Sequence, residues 1–157
     1  MALNRDIFFA KGKEIDFYGV KVLLWRPALS SFYHLLWGDL TYKRLKKLLK
    51  KLTKTKWNKI RKVIKEDYTR LIELYYEAIK WNFPYADIQE QNIESESKSI
   101  IDVVMYIAVS TGWTIDYIMS FTAPQIYLIA DSIRKVKKNE AGVMAVAFHN
   151  PRGLSKL

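Results

Sequence analysis

The sequence predicts a mainly α-helical protein of one domain, residues 1–157. A small N-terminal β-hairpin or meander is expected first, then a basic helical hairpin and a C-terminal three-helix segment. Apolar and polar residues alternate before residue 27, as in short strands. Beyond residue 40 the apolar residues recur every three or four positions, as on one face of a helix. The chain has 157 residues, half of them hydrophobic and none of them cysteine, so it can bury a core without disulfides.

The β-hairpin region is expected at residues 1–27. Short strands are predicted at residues 7–9, 15–17 and 20–25, with the first turn at residues 11–13. A sheet this small is marginally stable alone, so it must pack on helices or pair with another chain. An exposed edge of the sheet is therefore a candidate docking strand.

Residues 28–83 are expected to form the basic helical hairpin. Its first element is a short helix that Ser30 or Ser31 can cap and that Gly38 ends. Trp37 falls at the end of this short helix.

Two longer helices should follow and pack as an antiparallel pair. Thr41 can cap the first of them. Its apolar face consists of leucines at helical spacing, namely Leu45, Leu48, Leu49 and Leu52. After a break at residues 53–55, an apolar stripe predicts one long helix from Trp57 to Asn82.

Residues 84–98 are polar and poor in β-branched side chains, which predicts a loop or linker. The C-terminal helical region is expected at residues 99–157. Ser99 can cap its first helix, and Gly112 is the residue type that ends one.

Two further capping signals follow within ten residues. Thr114 can cap a short helix, and Thr122 with Gln125 three positions later matches a capping box. The helix that opens there should run to about Lys137, before a last, largely apolar segment at residues 140–148.

The positive charge of the chain is concentrated in residues 40–65. This segment holds twelve Lys or Arg and no acid, while the whole chain has a net charge of +10. The cations could contact a polyanion nonspecifically, or they could face solvent or an acidic protein partner. Lys outnumbers Arg ten to two, and reading of bases favours Arg, so sequence-specific DNA binding is not expected. The candidate residues for this face are Lys43, Arg44, Lys47, Lys50, Lys51, Arg61 and Lys62.

Nothing in the sequence indicates catalysis, a metal or a cofactor. The two histidines, His34 and His149, are far apart and lack acids at ligand spacing, and the six glycines are scattered singly. No membrane span is expected, since Asp102 and Asp116 interrupt the most apolar stretch. A helix-turn-helix around Gly112 is also not favoured, because its second helix would carry an acid and no cation or amide side chain to contact DNA.

The block at residues 110–131, STGWTIDYIMSFTAPQIYLIAD, resembles small tail assembly chaperones of bacteriophages and related tail-like particles. The matching positions are Gly112, Trp113, Thr114, Asp116, Ile118, Met119, Thr122 and Gln125. The N-terminal GKEIDFYGVKVLLWRP is also similar to the opening strands of such proteins. The basic segment is a departure from that family, and a virion structural protein or a nucleic-acid-binding phage protein would share the same features.

The resemblance implies a noncatalytic protein that acts in the host cytoplasm. Whether it stays associated with the finished virion is left open by the resemblance. It implies binding of the tape-measure protein and the tail-tube protein during tail assembly, as a homo- or hetero-oligomer. Trp and Tyr suit positions with one apolar and one polar side, so aromatic helical faces are the predicted partner-binding site. The residues expected there are Trp113, Tyr117, Met119, Trp25 and Trp37.

Overall fold

The computed structural model describes residues 10–65, 67–84 and 93–149, without the side chains of residues 93–99 and 142–149. It confirms a mainly helical fold with a two-stranded antiparallel hairpin at its start. The strands and helices are β1 (Gly12–Phe17), β2 (Val20–Trp25), α1 (Tyr42–Leu52), α2 (Trp57–Ile64), α3 (Tyr68–Asn82), α4 (Ile93–Thr111), α5 (Ile115–Met119) and α6 (Ala123–His149).

The hairpin turns through two residues of positive φ, Tyr18 at 48° and Gly19 at 81°. Such a pair matches the twist of the flanking strands, which is why two-residue turns of this kind join hairpins. The Gly19 N–H donates to the Asp16 carboxylate at 2.8 Å and tightens the turn. Residues 12 and 13, predicted as a turn, belong to β1 instead, and the strand predicted at residues 7–9 lies outside the described residues.

The outer edge of β2 is occupied by the connection between α1 and α2. The Leu23 N–H donates to the Thr55 hydroxyl at 2.8 Å, and the Lys54 N–H donates to the Leu23 carbonyl at 2.9 Å. Thr53 also forms an antiparallel bridge with Leu24. This edge is therefore not the exposed docking strand that the sequence suggested.

The segment between β2 and α1 forms two 3₁₀ turns, Leu29–Ser31 and Tyr33–Leu35, and not the short α-helix that was predicted. Phe32 between them has a φ of −135°, which interrupts helical geometry. The kink allows three apolar side chains to be buried together, those of Leu29, Phe32 and Leu36.

Helix α1 begins as predicted, with the Thr41 hydroxyl accepting the Arg44 N–H. All four leucines of its apolar face are buried. The single helix expected from Trp57 to Asn82 is wrong, because Lys65 adopts a left-handed conformation that ends α2 and Asp67 caps α3. Residues 28–83 therefore hold three helices, and α3 packs against α1, α2 and β2.

Helix α4 begins at Ile93, so residues 93–98 of the predicted polar linker are helical, while residues 85–92 lie outside the described part. Its end at Gly112 and the cap at Thr114 are as predicted. Helix α6 opens with Gln125 accepting the Thr122 N–H at 3.0 Å, which is half of the predicted capping box. It continues to His149 and does not end near Lys137, since no proline lies between them.

The N- and C-terminal parts share one buried core. Helix α4 packs against α5 and α6, and α5 contacts the first 3₁₀ turn. At that contact the Leu29 N–H donates to the Phe121 carbonyl at 2.9 Å. Phe32 and Phe83 meet edge to face, with ring centres 6.2 Å apart. The helical corner around α5 is therefore fixed to the rest of the protein.

Candidate functional site

The corner between α4 and α6 carries three aromatic rings in mutual contact. The ring centres of Trp113 and Tyr117 are 5.2 Å apart, and those of Tyr117 and Phe121 are 5.3 Å apart, both edge to face. Trp113 and Phe121 are stacked at 6.5 Å. Trp113 is 40% exposed, Tyr117 is 51% exposed and Ile115 beside them is 46% exposed. We call Trp113, Ile115, Tyr117 and Phe121 the aromatic corner.

The backbone under the aromatic corner is held by local hydrogen bonds. Gly112 has a φ of +73°, and its N–H donates to the Ala108 carbonyl at 2.8 Å. The Trp113 N–H then donates to the Thr111 hydroxyl at 3.1 Å, and the Tyr117 N–H donates to the Thr114 hydroxyl at 3.3 Å. The exposed rings therefore stand on a firmly hydrogen-bonded backbone.

The buried side of the corner anchors it to the core. Ile118 is fully buried, and Met119 is half-buried and packs against the core cluster. Met119, which is predicted to bind a partner, is thus one of the residues that pack α5 against the core. Of the five predicted partner-binding residues, Trp113 and Tyr117 are the two that the structure brings together at the surface.

Trp25 and Trp37 lie on the N-terminal part and are half-buried. Trp25 ends β2, and the Lys54 ammonium lies 5.0 Å from its ring centre. Trp37 packs against the core, with its ring centre 5.9 Å from that of Tyr33. Both rings thus make contacts within the chain and keep part of their surface exposed.

Exposed apolar side chains continue from the aromatic corner along α4. Met105 is 46% exposed and Val109 is 83% exposed, and their spacing of four places them on one face. Val136 on α6 is 56% exposed. It lines a groove of about 340 Å³, where the Lys137 ammonium donates to the Ser110 hydroxyl at 2.9 Å. Sequence reasoning missed Met105 and Val109, although a valine on the outer face of a predicted helix was a usable signal.

Six of the seven residues predicted for the cationic face are exposed on α1 and α2. We call these six the basic surface: Lys43, Lys47, Lys50, Lys51, Arg61 and Lys62. On both helices the aliphatic side chains face the core, so the cations face solvent. Within residues 10–65, 67–84 and 100–141, no carboxylate pairs with a member of the basic surface.

Arg44, the seventh predicted residue, does not belong to that surface. Its Nε donates to the Leu35 carbonyl at 2.6 Å, and its Nη1 donates to the carbonyls of Gly38 and Asp39. The guanidinium therefore satisfies three carbonyls of the loop that precedes α1. A guanidinium suits this task because it presents several donors in a fixed fork.

An open groove of about 610 Å³ lies between the hairpin turn and α3. The Tyr18 hydroxyl donates to the Glu73 carboxylate there at 2.6 Å, and this hydrogen bond raises the pKa of Tyr18. The Arg70 guanidinium lies 4.3 Å from the Tyr18 ring centre. No sequence signal links Tyr18 to Glu73, because the pair is created only when the hairpin docks on α3.

Within the described residues, no group of three or more His, Asp or Glu side chains is placed to hold a metal ion. Among the helices described, none combines the length and apolar character needed to cross a bilayer. No protein-family model matches the chain, and no characterised protein or solved structure matches it.

Proposed function

We propose that the protein is a noncatalytic assembly protein that binds a partner through the aromatic corner. The observation that carries the proposal is the exposure of Trp113 and Tyr117 on a corner that is otherwise well packed. Large exposed apolar patches mark interaction sites, and Trp and Tyr dominate the binding energy of many interfaces. An isolated chain gains little from keeping these two rings and Ile115 in water.

The rigid backbone of the corner favours binding. Rings that are already positioned lose little conformational freedom when a partner docks on them. The backbone N–H groups of Gly112, Trp113 and Tyr117 each donate a hydrogen bond that holds the corner in this way. The corner can therefore supply an energetic hot spot without a rearrangement.

The chemistry of the partner follows from the shape of the exposed surface. Met105 and Val109 extend the apolar surface along α4 toward Gly112, at which the aromatic corner begins. An elongated apolar strip of this kind suits the apolar face of an amphipathic helix. The occupant that we propose is thus a helical segment of another protein.

The resemblance of residues 110–131 to tail assembly chaperones identifies the partners that we propose. The aromatic corner lies within the resembling block, and Trp113 is one of its matching residues. We therefore propose the tape-measure protein and the tail-tube protein as partners, in the cytoplasm of an infected host. An amphipathic helix of a tape-measure protein would have the required apolar face.

A co-purification experiment tests the proposal with a matched pair of substitutions. The tagged chain is co-expressed with a tape-measure protein and a tail-tube protein from the same genome, and complex formation is measured. Tyr117→Ala and Trp113→Ala should each weaken the partner's affinity by roughly 10- to 30-fold, as expected for hot-spot residues. Tyr42→Ala is the control, because Tyr42 is a similarly exposed tyrosine, at 41%, in the first turn of a different helix.

The outcome can contradict the proposal in two ways. If correctly folded Tyr117→Ala and Trp113→Ala variants bind as well as Tyr42→Ala, the aromatic corner is not the binding site. If the unsubstituted chain captures neither tail protein, the tail-assembly assignment fails. Circular dichroism of each variant establishes that the helical fold is intact.

A further inference from the structure

We propose that the basic surface binds the phosphate backbone of nucleic acid without reading its sequence. This is a second function, separate from partner binding at the aromatic corner. The surface consists of exposed cations on α1 and α2, while the aliphatic side chains of both helices are buried.

The spacing of the lysines on α1 suits a row of phosphates. Lys43, Lys47 and Lys50 are separated by four and three positions and lie on one helical face. The helical rise separates them by about 6 Å and about 4.5 Å along the axis. One strand of a duplex carries a charge about every 3.4 Å of its axis, so each of these flexible side chains can reach a separate phosphate.

The local electrostatics distinguish these lysines from three others in the chain. Lys21, Lys80 and Lys135 each form an ion pair, with Glu14, Glu77 and Asp131. By contrast, no carboxylate among the described residues pairs with the basic surface. Its positive potential is therefore available to an external polyanion.

Two neighbouring lysines lie over aromatic rings at the junction of the two helices. The Lys46 ammonium is 5.7 Å from the Trp57 ring centre, and that of Lys54 is 5.0 Å from the Trp25 ring centre. A cation above a ring keeps its positive charge, because the ring is neutral. These contacts extend the positive region without neutralising it.

Nucleic acid fits this surface better than a membrane or an acidic protein. A membrane-surface helix inserts its apolar face into the bilayer, but the leucines of α1 are at most 1% exposed. Protein interfaces have an apolar or aromatic centre and are depleted in Lys, and Tyr42 is the one large apolar side chain of α1 that is strongly exposed. A convex surface of lysines instead matches contacts to phosphates, which need charge and little shape complementarity.

Fluorescence anisotropy with a labelled duplex of mixed sequence tests the proposal. Affinity for the full chain should fall steeply between about 50 and 200 mM salt, with a slope of roughly −0.9 for each phosphate contact in a plot of log affinity against log salt. The triple variant Lys43→Gln, Lys47→Gln, Lys50→Gln should make this slope shallower by about 2.7 and weaken binding more than tenfold at the lower salt. A second duplex of different sequence should bind equally well.

A control variant with the same loss of charge tests whether duplex binding depends on the basic surface itself or only on the net charge of the chain. Lys11→Gln, Lys80→Gln, Lys138→Gln removes three exposed lysines outside residues 40–65 and should leave the slope nearly unchanged. The Tyr117→Ala variant should also bind the duplex normally. Loss of partner binding at the aromatic corner can therefore be distinguished from loss of duplex binding at the basic surface.

Three results would overturn the inference. One is no binding of the duplex at about 50 mM salt, where such contacts are strongest. Another is an equal effect of the α1 triple variant and the control. The third is binding to vesicles of anionic lipid by a chain that does not bind the duplex, which would identify a membrane surface as the source of the phosphate.

Discussion

The guanidinium carbon of Arg26 lies 3.6 Å from the ring centre of Trp81, and the side chain is only 2% exposed. Its Nε donates to the Trp81 carbonyl and its Nη1 to the Ala10 carbonyl, each at 2.8 Å. The adjacent Asn82 amide donates to the Trp25 carbonyl at 3.0 Å. This group of contacts joins the end of β2 to the end of α3.

Arg26→Ala should lower the free energy of unfolding by about 3 kcal/mol, because it leaves a cavity and two partly buried carbonyls without their donor. Arg26→Lys should lower it by about half as much, since Lys keeps the charge but lacks the planar fork. Urea denaturation measures both. Lys21→Ala, in the strand that precedes Arg26, is the control, and an Arg26→Ala variant as stable as this control would refute the role of Arg26.

Arg44→Lys should also destabilise the fold although it conserves charge. The expected loss is about 1 to 2 kcal/mol, because the ammonium cannot satisfy the carbonyls of Leu35, Gly38 and Asp39 together. The control is Lys43→Gln on the exposed side of the same helix, which should change stability by less than about 0.5 kcal/mol. If the two variants are equally stable, Arg44 behaves like a solvent-exposed cation and its hydrogen bonds to the three carbonyls do not stabilise the fold.

Gly112→Ala should destabilise the protein by about 1 kcal/mol through backbone conformation alone. The φ of Gly112 is +73°, and a Cβ there would meet no atom within 4 Å. Gly112→Asn should be milder, since Asn tolerates the left-handed region better than Ala. Thermal unfolding of both variants measures the difference in stability. Val109→Ala, at an exposed position of α4, is the control. A Gly112→Ala variant at least as stable as Gly112→Asn would contradict this account.

Alkaline pH should weaken the fold through Tyr75. Burial raises the pKa of Tyr75 above its usual value of 10.0, and the nearby Arg44 charge opposes this only in part. The Tyr75 hydroxyl therefore holds its proton more tightly in the folded state than in the unfolded state. Its contribution to the free energy of unfolding is complete below pH 10.0 and is lost as the pH rises above 10.0. The pKa of Tyr18 is shifted in the same direction.

Tyr75→Phe removes the ionisable group and should make the alkaline loss of stability shallower. The measurement is the denaturation midpoint at neutral pH and at a series of alkaline values. Tyr42→Phe, at an exposed position, serves as the matched control and should follow the unsubstituted protein. A Tyr75→Phe profile that coincides with that of Tyr42→Phe would exclude Tyr75 as a cause.

Helix boundaries that are marked by a capping residue or by a glycine could be predicted from the sequence. Thr41 and Thr114 cap the helices that they were expected to cap, and Gly112 ends α4 in the left-handed conformation. The break at Lys65 was missed, because Lys is rarely left-handed and the apolar stripe runs on through it. Asp67 as the next cap was a usable signal there.

The roles of individual side chains depended on tertiary contacts. Arg44 looked like its lysine neighbours in sequence, yet its partners lie in a loop that only the folded chain brings to it. The exposed pair Trp113 and Tyr117 was predictable because both flank a helical corner with its own capping signals. Trp25 and Trp37 carry no such local signal, and the packing of Trp37 against the core appears only in the folded chain.

The contact of Thr53 and Lys54 with β2 also bears on aggregation and on the order of folding. An open strand edge can recruit strands from other molecules, and here the chain covers that edge of β2 itself. Thr53 directly follows α1, so we expect the cover to be placed when α1 docks. Until then the hairpin is open to intermolecular pairing, and substitutions that slow α1 formation should lower the yield of refolding at high protein concentration.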